Sequence, residues 1–176
     1  MALAASGCAP APPPRPASRP QPRPGTRVQD QVARASASGI RIFWHEQLKD
    51  RVRRVMDIEA RTGQLDALQE SGDLRQASGV VYRDNRPRAR FRAPLLRYSK
   101  AHNLMEASGG VVITSIEPPG LTVTCDRVMW DTTGDKIVAR GGVRLVHKPP
   151  GAARPLATGT AEQVTIDTRM ESFSIP

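Results

Sequence analysis

From Leu121 onward the apolar positions recur with a period of two. In Leu121-Thr122-Val123-Thr124-Cys125 the odd residues are the apolar ones, and Val128 with Trp130, Ile137 with Ala139, and Val143 with Leu145 continue the pattern. Alternation of this kind predicts strands with one buried face. Turn chemistry separates them at Glu117-Pro118-Pro119-Gly120, Thr132-Thr133-Gly134-Asp135 and Lys148-Pro149-Pro150-Gly151. Residues 40–60 read two ways. Ile40, Phe43, Trp44, Leu48, Val52, Val55 and Met56 fit a helical stripe, yet Ile40, Ile42 and Trp44 alternate, as do Met56, Ile58 and Ala60. With Gln47-Leu48-Lys49-Asp50 as a turn and β structure elsewhere, local consistency selects two strands.

An internal repeat is the strongest signal. Leu74-Arg75-Gln76-Ala77-Ser78-Gly79-Val80-Val81 matches Leu104-Met105-Glu106-Ala107-Ser108-Gly109-Gly110-Val111, and both match Ile137-Val138-Ala139-Arg140-Gly141-Gly142-Val143. Strands that end in an aromatic, Leu95–Tyr98 and Arg127–Trp130, precede the last two copies, and Gln163–Thr168 precedes Phe173. Repetition at this period means that a unit cannot bury its own apolar face and must stack on its neighbours. The glycine of each Ala-x-Gly predicts a bulge or bend, and the small alanine a close backbone approach. The fold class expected is all-β, a rolled slab of stacked antiparallel strands.

The N-terminal part breaks this pattern. Eight of the sixteen prolines lie between Pro10 and Pro24. Proline fixes φ and donates no backbone hydrogen bond, so the stretch suits an extended spacer, or a PxxP ligand, and not helix or sheet. The expected organisation is residues 1–8 as a residual lipoprotein signal, 9–39 as a disordered Pro/Arg-rich linker, and 40–176 as the folded domain. Ala5-Ser6-Gly7 before Cys8 resembles a bacterial lipobox, which makes Cys8 the candidate lipidation site. A signal peptide also needs a charged start and an apolar stretch. The anchor reading therefore places the true start upstream, and the alternative is a chance match. No apolar run approaches the ~20 residues of a membrane-spanning helix.

Charge adds little that is specific. The net charge is +9, and residues 1–39 hold five arginines against one aspartate. A moderately basic domain fits nucleic acid, an anionic membrane or a phosphorylated lipid. Aromatics are only 4% of the chain, and no aromatic/Gly nucleic-acid signature occurs, so no nucleic-acid partner is expected. The stretch Arg83–Lys100 is the basic exception. Arg86, Arg88, Arg90 and Arg92 alternate with Pro87, Ala89 and Phe91. An extended chain puts those guanidinium groups on one face. They form either a solvated face that protects an edge strand or a phosphate-binding rim, since arginine matches phosphate bidentately.

Catalytic and metal signatures are missing. His45, His102 and His147 sit in no metal-ligand spacing, and no GxSxG, P-loop or GxGxxG occurs. Asp126, Asp131 and Asp135 cluster around a turn, where solvated acidic residues are ordinary. Cys125 reads as a small buried apolar residue, distant from Cys8. A non-enzyme without cofactor or metal is expected.

The segment from Leu121 to Asp131, its turn, and Lys136 to Leu145 resembles the OstA-like repeat of the lipopolysaccharide-export proteins, with Cys125 and Trp130 standing for the repeat's usual Ala and Tyr. Ala157–Asp167 resembles a further copy. The resemblance covers roughly residues 40–176 and implies a β-jellyroll slab, LptC-like or LptA-like, that holds lipopolysaccharide acyl chains inside. Implied partners are lipopolysaccharide or a related glycolipid, inner-membrane ABC transporter subunits, and another β-slab protein docked edge to edge. The implied location is the periplasm, with a lipidated N-terminus on the inner membrane, although the membrane helix usual in the LptC-like class is absent from this stretch. Candidate lining residues are Trp44, Ile58, Phe91, Leu95, Val111, Ile113, Val123, Trp130, Ile137, Val143, Leu145 and Ile166. For each one, ordinary core packing is the alternative, and a non-catalytic structural scaffold is the alternative function.

Overall fold

The computed structural model describes residues 34–47 and 49–175. Among them the chain forms nine strands: β1 (Arg34–Gln47), β2 (Val52–Asp66), β3 (Ser71–Arg83), β4 (Arg86–Ser99), β5 (Leu104–Ser115), β6 (Leu121–Asp131), β7 (Lys136–His147), β8 (Ala157–Asp167) and β9 (Phe173–Ser174). They make one antiparallel sheet in chain order. Each strand pairs with the next through a short connection, the topology that alternating segments with Gly/Pro/Asp turns favour. The all-β expectation therefore holds, and so does the choice of strands over helix between residues 40 and 60. The expected linker call for residues 34–39 does not describe what is seen there. β1 begins at Arg34, and Arg34–Ser38 pair with Asp66–Thr62. Small polar residues were read as linker there, but backbone pairing needs only a partner edge, and the long β2 provides one. The signal and most of the linker, including Cys8, lie outside the described residues.

The sheet does not stay flat. In alternate strands one or two residues take a positive φ at the same level: Gly39 in β1, Gln76 in β3, Gly109-Gly110 in β5 and Gly141-Gly142 in β7. Facing them, Arg61, Pro94, Asp126 and Glu162 fall out of the pairing register. In β5 and β7 the glycine pair stands opposite one residue, the two-against-one count of a bulge, which bends a strand. A line of kinks thus crosses the sheet and folds it over on itself, giving two halves. One half holds the strand segments from Arg34 to Ser38, Leu104 to Ser108 and their neighbours. The other holds Ile40 to Gln47, Val111 to Ser115 and theirs.

The repeat alanines Ala77, Ala107 and Ala139 are all buried at this line. The glycines divide into two kinds. Gly109 and Gly141 serve the bend as expected, and a Cβ on Gly141 would lie 2.7 Å from Asp126 Oδ2. Gly79 does not. It pairs in regular register between Ile58 and Phe91, and a Cβ there would run into the Asp57 carbonyl oxygen and the Phe91 ring. In that first copy the bend falls on Gln76, at φ 51°.

Candidate functional site

The inner faces of the two halves meet in one apolar cluster that runs from Ile40 and Trp44 in β1 to Val164 and Ile166 in β8. Eleven of the twelve candidate lining residues belong to it: Trp44, Ile58, Phe91, Val111, Ile113, Val123, Trp130, Ile137, Val143, Leu145 and Ile166. Leu95 is the exception, 44% exposed. β4 turns over at Ala93-Pro94, where these two residues stand against three of β5, so inward positions are Ala89, Phe91 and Ala93 before the bend and Leu96 and Tyr98 after it. A change of parity at the bend sends Leu95 to the outer face. Leu95 instead lines an outer groove of about 750 Å³ with Ser36, Thr62, Arg75, Arg97 and Glu106, a mixed polar surface.

The interior is filled. Trp44 of one half faces Tyr98 of the other at 6.4 Å between ring centroids and 54° between planes, a tilted aromatic contact. Burial pushes the Tyr98 hydroxyl above its ordinary pKa. A cavity of about 10 Å³ remains between Val81, Phe91, Val111 and Ile113 on one side and Met105, Ala107, Val128 and Ile137 on the other. That volume is at the lower limit for a single water. Cys125 lies in this apolar setting as expected; desolvation pushes its thiol up to about 11, against hydrogen bonds with the Arg140 and Arg127 backbone that work the other way. Such a thiol is inert at neutral pH.

Away from the bend, the two halves meet along a mouth closed by charged and polar groups. Arg53 of β2 donates through Nε to Glu46 Oε2 at 3.2 Å and through Nη2 to the Thr132 carbonyl oxygen at 3.3 Å. Thr132 Oγ1 donates to Glu46 Oε1 at 3.0 Å. Arg53 Nη1 stands 3.6 Å from Asp135 Oδ1, and Arg83 Nη1 pairs with the other oxygen of the same carboxylate. Glu46, Arg53 and Arg83 belong to one half; Thr132 and Asp135 are in the turn between β6 and β7 of the other. The Thr168 amide holds this turn by donating to the Asp135 carbonyl oxygen at 3.1 Å. The Glu46 and Arg53 side chains are each 18% exposed. Sequence reasoning took Asp135 as an ordinary solvated turn residue, and the structure corrects that. No spacing rule could have found the network, since Glu46 and Thr132 are 86 residues apart.

The arginine row is extended on the outer face as expected, with Ala89 and Phe91 buried between. Arg86, Arg90 and Arg92 are exposed, and among the described residues no carboxylate pairs with them. Arg88 differs, with its side chain 12% exposed and Nη1 3.5 Å from Glu117 Oε2. The four are therefore not one uniform rim. Both ends of the sheet have open edges: the far side of β1 carries no partner strand among the described residues, and β9 covers β8 only at Thr165 and Ile166. Among the described residues no group of three or more His, Cys, Asp or Glu side chains is placed to hold a metal ion.

A single antiparallel sheet, bent along a glycine line and, among the described residues, open at both edges, has the architecture of a β-jellyroll slab. Seven solved chains resemble it. One is LptH of Pseudomonas aeruginosa, described as the LptA-homologous periplasmic component of the lipopolysaccharide transport device. The likeness has a TM-score of 0.54 at 11% identity and covers 68% of this chain and 80% of that one. No protein-family model matches the sequence, and no curated protein does.

Proposed function

We propose that this chain is a non-catalytic periplasmic component of lipopolysaccharide transport. Its interior takes the acyl chains of lipopolysaccharide or a related glycolipid, and its open edges pass the lipid on by docking to a similar slab. One observation carries the reading: an apolar interior that runs unbroken from β1 to β8 between two open edges. Many acyl chains need a long apolar channel more than a compact pocket, and stacking slabs edge to edge would prolong it. An open edge is otherwise an aggregation hazard, which a dedicated partner would relieve. The likeness to LptH supports the same role. Inner-membrane ABC transporter subunits would feed the slab, and lipidated Cys8 with its proline-rich spacer would tether it to the inner membrane. Arg86, Arg90 and Arg92 would lie along headgroup phosphates.

The small free volume inside favours a second reading, a scaffold module that only joins partners. Photo-crosslinking from Val123 and Ile137 to lipopolysaccharide separates the two. Transport expects an adduct at both positions. A complete absence of adducts at interior positions, with the protein folded, leaves the scaffold.

A further inference from the structure

We propose that Arg53 and Arg83 at the mouth form a binding site for a phosphate group on an acyl-chain amphiphile, and that the Asp135 carboxylate occupies this site while the slab is closed. The proposal rests on the interior-binding reading and gives it an entrance. Both guanidinium groups belong to one half of the slab, and the carboxylate they share belongs to the other. When the halves part, the arginines stay together on one rim and lose their common anion. Arg83 already has a donor to spare: its buried Nε makes no hydrogen bond, and the Asp84 carboxylate stands 3.8 Å from it. A buried donor left unmade is costly, and a phosphate monoester has three terminal oxygens to share between the two forks where a carboxylate has two. Behind the pair the surface turns apolar at once. Val81 and Ile137, two residues inward from Arg83 and Asp135, line the interior cavity. Charge at the rim and apolar side chains directly behind it is the pattern of an amphiphile.

Dodecyl phosphate and dodecyl maltoside, each below its micellar concentration, and inorganic phosphate, titrated into the full chain, test this. Trp44 and Trp130, buried beside the mouth, report occupancy by fluorescence. The expected result is roughly tenfold tighter binding of dodecyl phosphate than of the maltoside, the value of one charge-assisted contact, with inorganic phosphate much weaker than either. Replacing both arginines, Arg53→Gln with Arg83→Gln, should erase the preference, so that dodecyl phosphate binds no tighter than the maltoside. Asp135→Asn should tighten dodecyl phosphate several-fold. If the double variant does not fold, Arg83→Gln alone carries the test and should reduce the preference several-fold. A phosphate preference that survives loss of the arginines overturns the site, as does inorganic phosphate binding as tightly as its dodecyl ester. Equal binding of both amphiphiles overturns the arginine site alone, whereas failure of both to bind overturns the interior reading beneath it.

Discussion

At the bend the two halves of the slab are joined by eight continuous strands; at the mouth they touch through side chains and one backbone carbonyl, with no strand pairing between them. The bend is held by backbone geometry. Positive φ angles and glycine close to a neighbouring strand allow no easy substitution, and nothing in salt or pH changes them. The mouth is held by Glu46, Arg53, Arg83, Thr132 and Asp135, whose contacts weaken when ions screen them. The contrast teaches which rim can open. A sheet that folds over an apolar interior and has to admit something must part where separation costs a few charge contacts. It cannot part where separation would tear strand pairing.

The largest effect expected from breaking this contrast is at the bend. Gly141→Val puts a branched side chain at φ 78° and against Asp126. It should cost about 3 kcal/mol, from strain and overpacking together, read as a lower urea midpoint. An unchanged midpoint would mean that the bulge is not rigid. Asp135→Asn at the mouth removes a carboxylate shared by two arginines, and its side chain is 32% exposed. Discounted for screening by water, the loss should be about 1 kcal/mol. Hydrogen exchange sharpens the comparison. Raising salt in the wild-type protein should speed exchange in the 132–135 turn and leave Ala107 and Ala139 at the bend unaffected. Equal acceleration at both places would contradict the division of labour. Smaller still is Gln76→Gly. The left-handed conformation of Gln76 is relieved, but glycine loses more entropy on folding, so the net gain should be about 0.5 kcal/mol. A loss would show that the Gln76 side chain, whose Oε1 accepts from Arg61 Nη1 at 3.3 Å, matters more than its backbone.

Much of the slab could be read along the chain because period-two alternation and an Ala-x-Gly repeat both act through neighbours in sequence. Eleven interior residues were identifiable for that reason. Leu95 was not, since the bend at Pro94 inverts the parity of β4, and a local pattern carries no record of where a bend falls. Gly79 misled in the same way: it has the repeat's spacing, but space for Phe91 is what it provides. The turn at Asp84-Asn85, with φ of 52° and 60° at its two centre residues, was hidden inside the arginine-rich stretch, although Asp and Asn are among the residues that tolerate such angles. The mouth is a different case. Its members come from β1, β2, β3 and the turn after β6, and only the fold-over of the sheet brings them together.

Acid gives the gentlest test of the mouth, because the turns that support it are held by carboxylates with lowered pKa values. The Thr133 hydroxyl and amide donate to Asp131 and hold it below the ordinary carboxylate range. Burial acts to raise Asp167, but donation from the Ser172 hydroxyl and from the Glu171 amide outweighs it, so the net shift is also downward. Each group is more acidic in the folded chain than in the unfolded one. Its stabilising contribution is therefore complete above the unfolded value of about 3.9 and is lost as pH falls through the lower folded value. Between pH 5 and 8 these two residues should give no slope. Below about pH 4 the 132–135 turn and the loop after β8 should exchange hydrogens faster, well before the strands at the bend do. Asp131→Asn with Asp167→Asn should remove that early acid step and lower stability slightly at neutral pH. If the double variant keeps the full acid response, the supporting carboxylates are irrelevant to how the mouth behaves in acid.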